Sequence, residues 1–272
     1  MGLEAGPSLS HLPGANSRAR ERPGDLSPTS TTSCLWEAQW PLEPDIVMEG
    51  GNMALSPSGK EADFPDSLSV LSTHHDVNVG HVRATGDTSA ATAAAARLGA
   101  LVCTEYPTLW PETVRALIVD SAEWTPRMKA EIAATKKNEH AARLVRCFGF
   151  GVPSLERALW SASNALTLVI QDEVQPFTGE KSNEMHLHRL PWPRDALESL
   201  GGIQVELRVT LSYFIEPNPA RRGWQKRLAL GRSESKACYA LIVSIRSPST
   251  TVDIYELVAT LVRTPIETVV RA

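Results

Sequence analysis

The segment Gly86-Asp87-Thr88-Ser89, followed by the run of small residues from Ala90 to Val102, constrains this chain more than any other. Glycine allows a sharp backbone turn, and Thr and Ser are favoured where a helix begins. Ala90, Ala91, Ala94, Ala95, Leu98, Leu101 and Val102 then recur at helical spacing. With almost no bulky side chain for two turns, this helix is expected to run to about Glu105, packed centrally against a neighbouring strand or helix. Cys103 lies in the same helix and reads as a buried free thiol packing as a small hydrophobe.

Two readings of Thr88 and Ser89 are open from these residues alone. Either hydroxyl can simply cap the Ala-rich helix. A serine in the first turn also sits beside unsatisfied backbone N–H groups and the positive end of the helix dipole, where an oxyanion would be stabilised.

The flanks narrow the choice. Upstream stand the serine-rich stretch Ser27 to Ser33 and the segment Glu43-Pro44-Asp45-Ile46-Val47-Met48-Glu49-Gly50-Gly51-Asn52. Downstream, Glu105-Tyr106-Pro107 ends the helix, and Pro111 suits the first turn of a second helix with Val114, Leu117, Ile118 and Ala122 on an apolar face. Gly149-Phe150-Gly151-Val152-Pro153 forms a glycine-rich turn. In this order, over about residues 25 to 165, these segments resemble the nucleophile half of a subtilisin-like serine peptidase (subtilase, peptidase S8), with its Lys-Pro-Asp-(Val/Ile)-Val-Ala-Pro-Gly strand and turn.

The resemblance implies that Ser89 is the catalytic nucleophile, attacking a peptide or protein substrate to form an acyl-enzyme with its own N–H as one oxyanion donor. It implies no cofactor, and no metal site of the family can be placed. Two departures sit on the motif: Asp87 stands where the family usually has Gly, and Ala93 where it usually has Pro. The family supplies Asp, His and Ser in that chain order, yet the 88 residues before Ser89 hold no counterpart of the Asp strand, the His-Gly-Thr helix start or the Asn oxyanion donor. The implied endopeptidase is therefore incomplete in this chain, and a second chain would be needed to complete its core. The competing readings are a non-catalytic binding or scaffold remnant of a subtilase and a cytoplasmic hydrolase with a site rebuilt around His74 or His75.

The histidines offer no ready substitute for the base. His74, His75 and His81 lie in a polar stretch with Asp76 and Asn78 and read as a surface loop. His11 falls in a segment without apolar period. His186 and His188 alternate around Leu187, a spacing that could suit a metal, but no carboxylate or Cys stands at a matching interval, so they read as exposed polar positions.

Composition excludes several classes. A net charge of -4 gives no basic surface for nucleic acid. No apolar stretch reaches the roughly 20 residues of a membrane span, and no signal peptide is visible. Cys34, Cys103, Cys147 and Cys238 are widely spaced, which indicates neither a zinc site nor a disulfide framework and favours a reducing, cytoplasmic setting.

The chain then divides into a disordered leader (1–24), a partial peptidase domain (25–165) and a β-rich C-terminal domain (166–272). In the last, Ala165 to Ile170, Ile203 to Leu211 and Tyr239 to Ile245 are β-rich and partly alternating, with Val205, Leu207 and Val209 expected inward and Glu206 and Arg208 outward. The expected fold is α/β: a truncated subtilisin-like parallel sheet with packed helices, followed by a β-sandwich-like domain.

Overall fold

The computed structural model describes residues 18–19, 25–27, 29–30, 32–33, 42–56, 58, 60–131, 137–163, 167–175, 177–178, 181–189, 197–198, 201–202, 205–215 and 237–246. Helices and strands are mixed, as an α/β chain requires. Two compact units are built from interleaved segments, Met1–Ala100 with Ala122–Pro153 and Leu101–Ser121 with Ser154–Ala272.

In the first unit, β1 (Arg18–Ala19), β2 (Ala54–Leu55) and β3 (Ala62–Asp63) make a small antiparallel sheet. The leader expected over 1–24 lies outside the described residues apart from Arg18 and Ala19, whose backbone pairs with β2. A hairpin of β4 (Val70–Thr73) and β5 (Val82–Thr85) follows. Through Gly86, β5 leads directly into α1 (Asp87–Glu105), whose end falls at the expected residue. The chain enters the second unit within α1, forms α2 (Pro111–Ser121) there, and returns to the first for α3 (Pro126–Glu131) and α4 (Lys137–Phe148).

Thr125 caps α3, its hydroxyl accepting from the Met128 N–H at 3.2 Å, and Pro126 takes the first helical position, where its missing N–H costs nothing. Met128, Leu144 and Phe148 are buried together, with Leu26, Val47, Trp124, Cys147 and Val152 packed around them. The Ser-rich stretch closes onto this core: Ser33 is fully buried, donates from Oγ to the Arg146 carbonyl at 3.1 Å and accepts from Arg146 Nη1 at 3.1 Å. Arg127 pairs with Asp25.

Every strand pairing among the described residues is antiparallel, which departs from the expected parallel sheet. A parallel pair needs a long crossover and two strands of adequate length. Here the stretch that reads as a strand, Asp45 to Val47, is joined to the Gly149-Gly151 turn by bonds from Phe150 N to Asp45 O at 2.8 Å and from Val47 N to Gly151 O at 3.0 Å. The two stretches run in the same sense but are too short to form a ladder.

Helix α1 also departs from expectation. Ala90, Leu98 and Val102 are buried, but Thr92, Ala93, Ala96, Arg97 and Ala100 are exposed, and so is Cys103. Small side chains that would allow close packing on all sides meet a neighbour along one stripe only.

The second unit continues with α5 (Leu155–Ser163), capped by Ser154, whose Oγ accepts from the Arg157 N–H at 3.3 Å. Strands β6 (Thr167–Val174), β7 (Phe177–Thr178), β8 (Lys181–Ser182), β9 (Glu206–Ile215) and β10 (Ala237–Arg246) follow. β7 and β8 form a short hairpin, and the others an antiparallel sheet in the order β6-β10-β9. Where a sandwich would place a second sheet, α2 packs against β9 and β10, and no opposing sheet occurs among the described residues. Gln171 of β6 ties the start of α2 to the sheet: its Oε1 accepts from Trp110 N and Thr113 Oγ1, both at 2.7 Å.

Strand β9 faces the helix with its polar side, the reverse of the expected orientation. Asp120 of α2 is completely buried and accepts from Thr210 Oγ1 at 2.9 Å and from Ser244 Oγ at 3.3 Å, with Arg208 Nε 3.8 Å away. Leu207 and Val209 on the other face are 46% and 59% exposed. A buried carboxylate must collect donors, and in a strand of period two, turning Arg208 and Thr210 inward necessarily turns Leu207 and Val209 outward. Replacing Asp120 with Ala leaves Arg208, Thr210 and Ser244 without this acceptor, and should destabilise the protein by about 3–5 kcal/mol in urea unfolding followed by circular dichroism.

Candidate active site

Ser89 is the third residue of α1 and is exposed. It thus lies in the first helical turn, where backbone N–H groups lack intrahelical partners and the helix dipole is positive. The hydroxyl makes no hydrogen bond among the described residues, whereas Thr92 Oγ1 donates back to the Thr88 carbonyl at 2.7 Å.

The turn before the helix is set by close backbone contact. A Cβ at Gly50 would lie 2.7 Å from the Asp87 carbonyl oxygen, so only glycine lets the Gly50-Gly51 turn approach the start of α1. At the other end of the same stretch, a Cβ at Gly149 would collide with the Pro44 and Asp45 carbonyls. The extended residues leading to Gly50 are therefore held between the Gly149-Gly151 turn and the helix that carries Ser89.

Asp87 occupies the position where glycine was expected, and its φ of 67° is left-handed, the region glycine enters without cost. Its Oδ1 is buried without a hydrogen-bond partner. The turn has kept a glycine-type backbone while gaining a carboxylate beside Ser89. Asp87→Gly should accordingly stabilise the chain by about 1–2 kcal/mol, measured as a rise in the urea midpoint at constant slope.

The upstream histidines stand at the far end of the β4-β5 hairpin. His74 N donates to His81 O at 3.1 Å, closing the tip, and the His74 and His75 rings stack at 4.6 Å. Since β5 runs from this tip to Gly86, extended-strand geometry puts His81 roughly 20 Å along the chain from the start of α1. His74 Nδ1 is already engaged by the Asp76 N–H at 2.9 Å, and Asp76 Oδ1 accepts from Asn78 N at 2.9 Å in a local turn. The hairpin organises its own loop rather than aiming an imidazole at Ser89. His11 lies outside the described residues.

In the second unit the structure gathers His186 and His188 with a residue the spacing did not reveal. His186 Nδ1 lies 2.7 Å from Asp172 Oδ2, and Tyr239 Oη lies 2.6 Å from His188 Nε2 and 3.1 Å from His186 Nδ1. Asp172 and Tyr239 are directly opposite each other on β6 and β10. The carboxylate thus reaches the histidines through strand pairing, not through a short chain interval. Burial, reinforced by the charge and hydrogen bond of Asp172, holds the Tyr239 phenol above its ordinary 10.0.

No helix among the described residues is long and apolar enough to cross a membrane. A family model described as the subtilase family matches residues 15–151, half of the chain, covering the Asp45 stretch, α1 with Ser89, α2 and the turn at Gly149. No curated protein and no solved structure matches the chain.

Proposed function

The chain belongs to the subtilase family, and we propose that Ser89 is its serine-peptidase nucleophile, held in an attack-ready position but without the base that would activate it. The observation carrying this reading is the placement of an exposed serine in the first turn of α1, behind a backbone turn of left-handed conformation that Gly50 approaches closely. A hydroxyl there can reach a peptide carbonyl while the first-turn N–H groups face the developing oxyanion. A serine hydroxyl at its ordinary pKa is nevertheless a poor nucleophile near neutral pH.

Two features weigh against turnover by this chain alone. The imidazoles nearest in sequence lie at the far end of the hairpin, and the Asp87 carboxylate would oppose negative charge forming beside it. Base and oxyanion donor would come from a second chain, whose docking would also cover the exposed side of α1. A peptide or protein substrate is the class this chemistry serves, and a reducing, cytoplasmic setting suits the free thiol exposed at Cys103. The scaffold reading draws on the same Asp87, since a nucleophile site without selection for catalysis has no need to exclude that charge.

The isolated chain should not cleave casein above the level of Ser89→Ala, because oxyanion and binding effects alone retain only about 10³ to 10⁴ over water. A fluorophosphonate probe separates the readings. Labelling that requires Ser89 supports an assembled nucleophile, and a folded chain that stays unlabelled, even with its interaction partners present in a cell extract, supports the scaffold.

A further inference from the structure

We propose that Asp172, His186 and His188 form a binding site for a divalent transition-metal ion of the zinc type. One donor atom from each of the three residues lies within 4.8 Å of the other two. A tetrahedral ion with bonds of about 2.0–2.1 Å needs donor separations of about 3.3 Å. The His186 to Asp172 distance of 2.7 Å is already below that, and the other separations are at most 4.8 Å. His186 and Asp172 are 31% and 43% exposed in their side chains, so an ion can reach them from solvent.

The backbone fixes the arrangement. Residues 183–189 are held to the end of β6 by Glu184 N to Gln175 O at 3.1 Å, by Gln175 N to Glu184 Oε2 at 2.7 Å, and by Asn183 Nδ2 to Gln175 O at 3.0 Å. His186 and His188, two residues apart, flank Leu187, which is 85% exposed, and both reach the same phenol. On β6, the Glu173 N–H binds Asp172 Oδ1 at 2.8 Å and leaves Oδ2 toward His186. A carboxylate fixed through one oxygen is the kind of contact that steadies a metal ligand, and the Tyr239 phenol, now within hydrogen-bond distance of a ring nitrogen on each histidine, would give way to the ion.

The donor set selects the ion. Two imidazoles with one carboxylate suit zinc, cobalt or nickel, whereas calcium and magnesium require oxygen donors. Cys238 is opposite Glu173 in the sheet, next to the Tyr239 and Asp172 pair, so strand alternation puts its thiol on the other face. Three protein ligands leave a fourth position open to water, as in zinc sites that do chemistry and unlike closed structural ones. The bound ion would clip residues 183–189 to the sheet.

The experiment uses the full chain, with Zn²⁺ followed by calorimetry and Co²⁺ followed by visible absorption. We expect one equivalent to bind with a tetrahedral cobalt spectrum. His186→Ala and His188→Ala should each weaken binding at least about tenfold, while Cys238→Ser and the double variant His74→Ala/His75→Ala leave it unchanged. Diethyl pyrocarbonate modification of the unmutated chain, with His186 and His188 protected by Zn²⁺, gives a readout that does not depend on any variant folding. Absence of both protection and binding, or binding that follows the cysteine or the His74/His75 variants, overturns the proposal.

Discussion

Backbone-to-backbone contact at glycine is the constraint on which the first unit rests. The extended stretch from Pro44 to Gly51 has few side chains that could anchor it, yet it connects the buried cluster around Phe148 with the start of α1. It does so because Gly149 at one end and Gly50 at the other allow main chain to lie directly on main chain. Such contacts are intolerant of added atoms and carry little apolar area, so their value is positional. What they position is the turn before Ser89.

Both units turn an apparent deviation into a consequence of one carboxylate. Asp87 keeps a glycine's backbone at the cost of a buried oxygen without a hydrogen-bond partner. Asp120 is buried far more completely but sits among donors from two strands, and the sheet orients itself around that need. The same residue type is thus a local strain in one place and an organising centre in the other. The difference is whether hydrogen-bond donors surround it.

Much of the half that matches the subtilase family was legible because its signals are local. Helical spacing of small residues marked α1 through Glu105, Pro111 marked the start of α2, and the glycines at 50 and 149 marked tight turns. The orientation of β9 was not legible, since alternating residues read equally well with either face inward, and the deciding partner, Asp120, lies on a helix ninety residues earlier. The His186 and His188 cluster was only half visible for the same reason. Their spacing showed, but Asp172 joins them through the β6 and β10 ladder, which no interval in the sequence encodes. The exposure of Cys103 escaped notice because an Ala-rich helix looks identical whether one or all of its faces are covered.

The outward turn of β9 has a bearing on how the protein behaves in a crowded solution. Among the described residues β9 is the outer strand of its sheet, and Leu207, Val209, Leu211 and Tyr213 stand on its open face. Its ten residues contain neither Lys nor Pro, the usual guards against strand addition. Turning Arg208 and Thr210 toward a buried carboxylate has therefore put apolar side chains on the open face of this strand, and self-association through β9 should set the ceiling on soluble concentration.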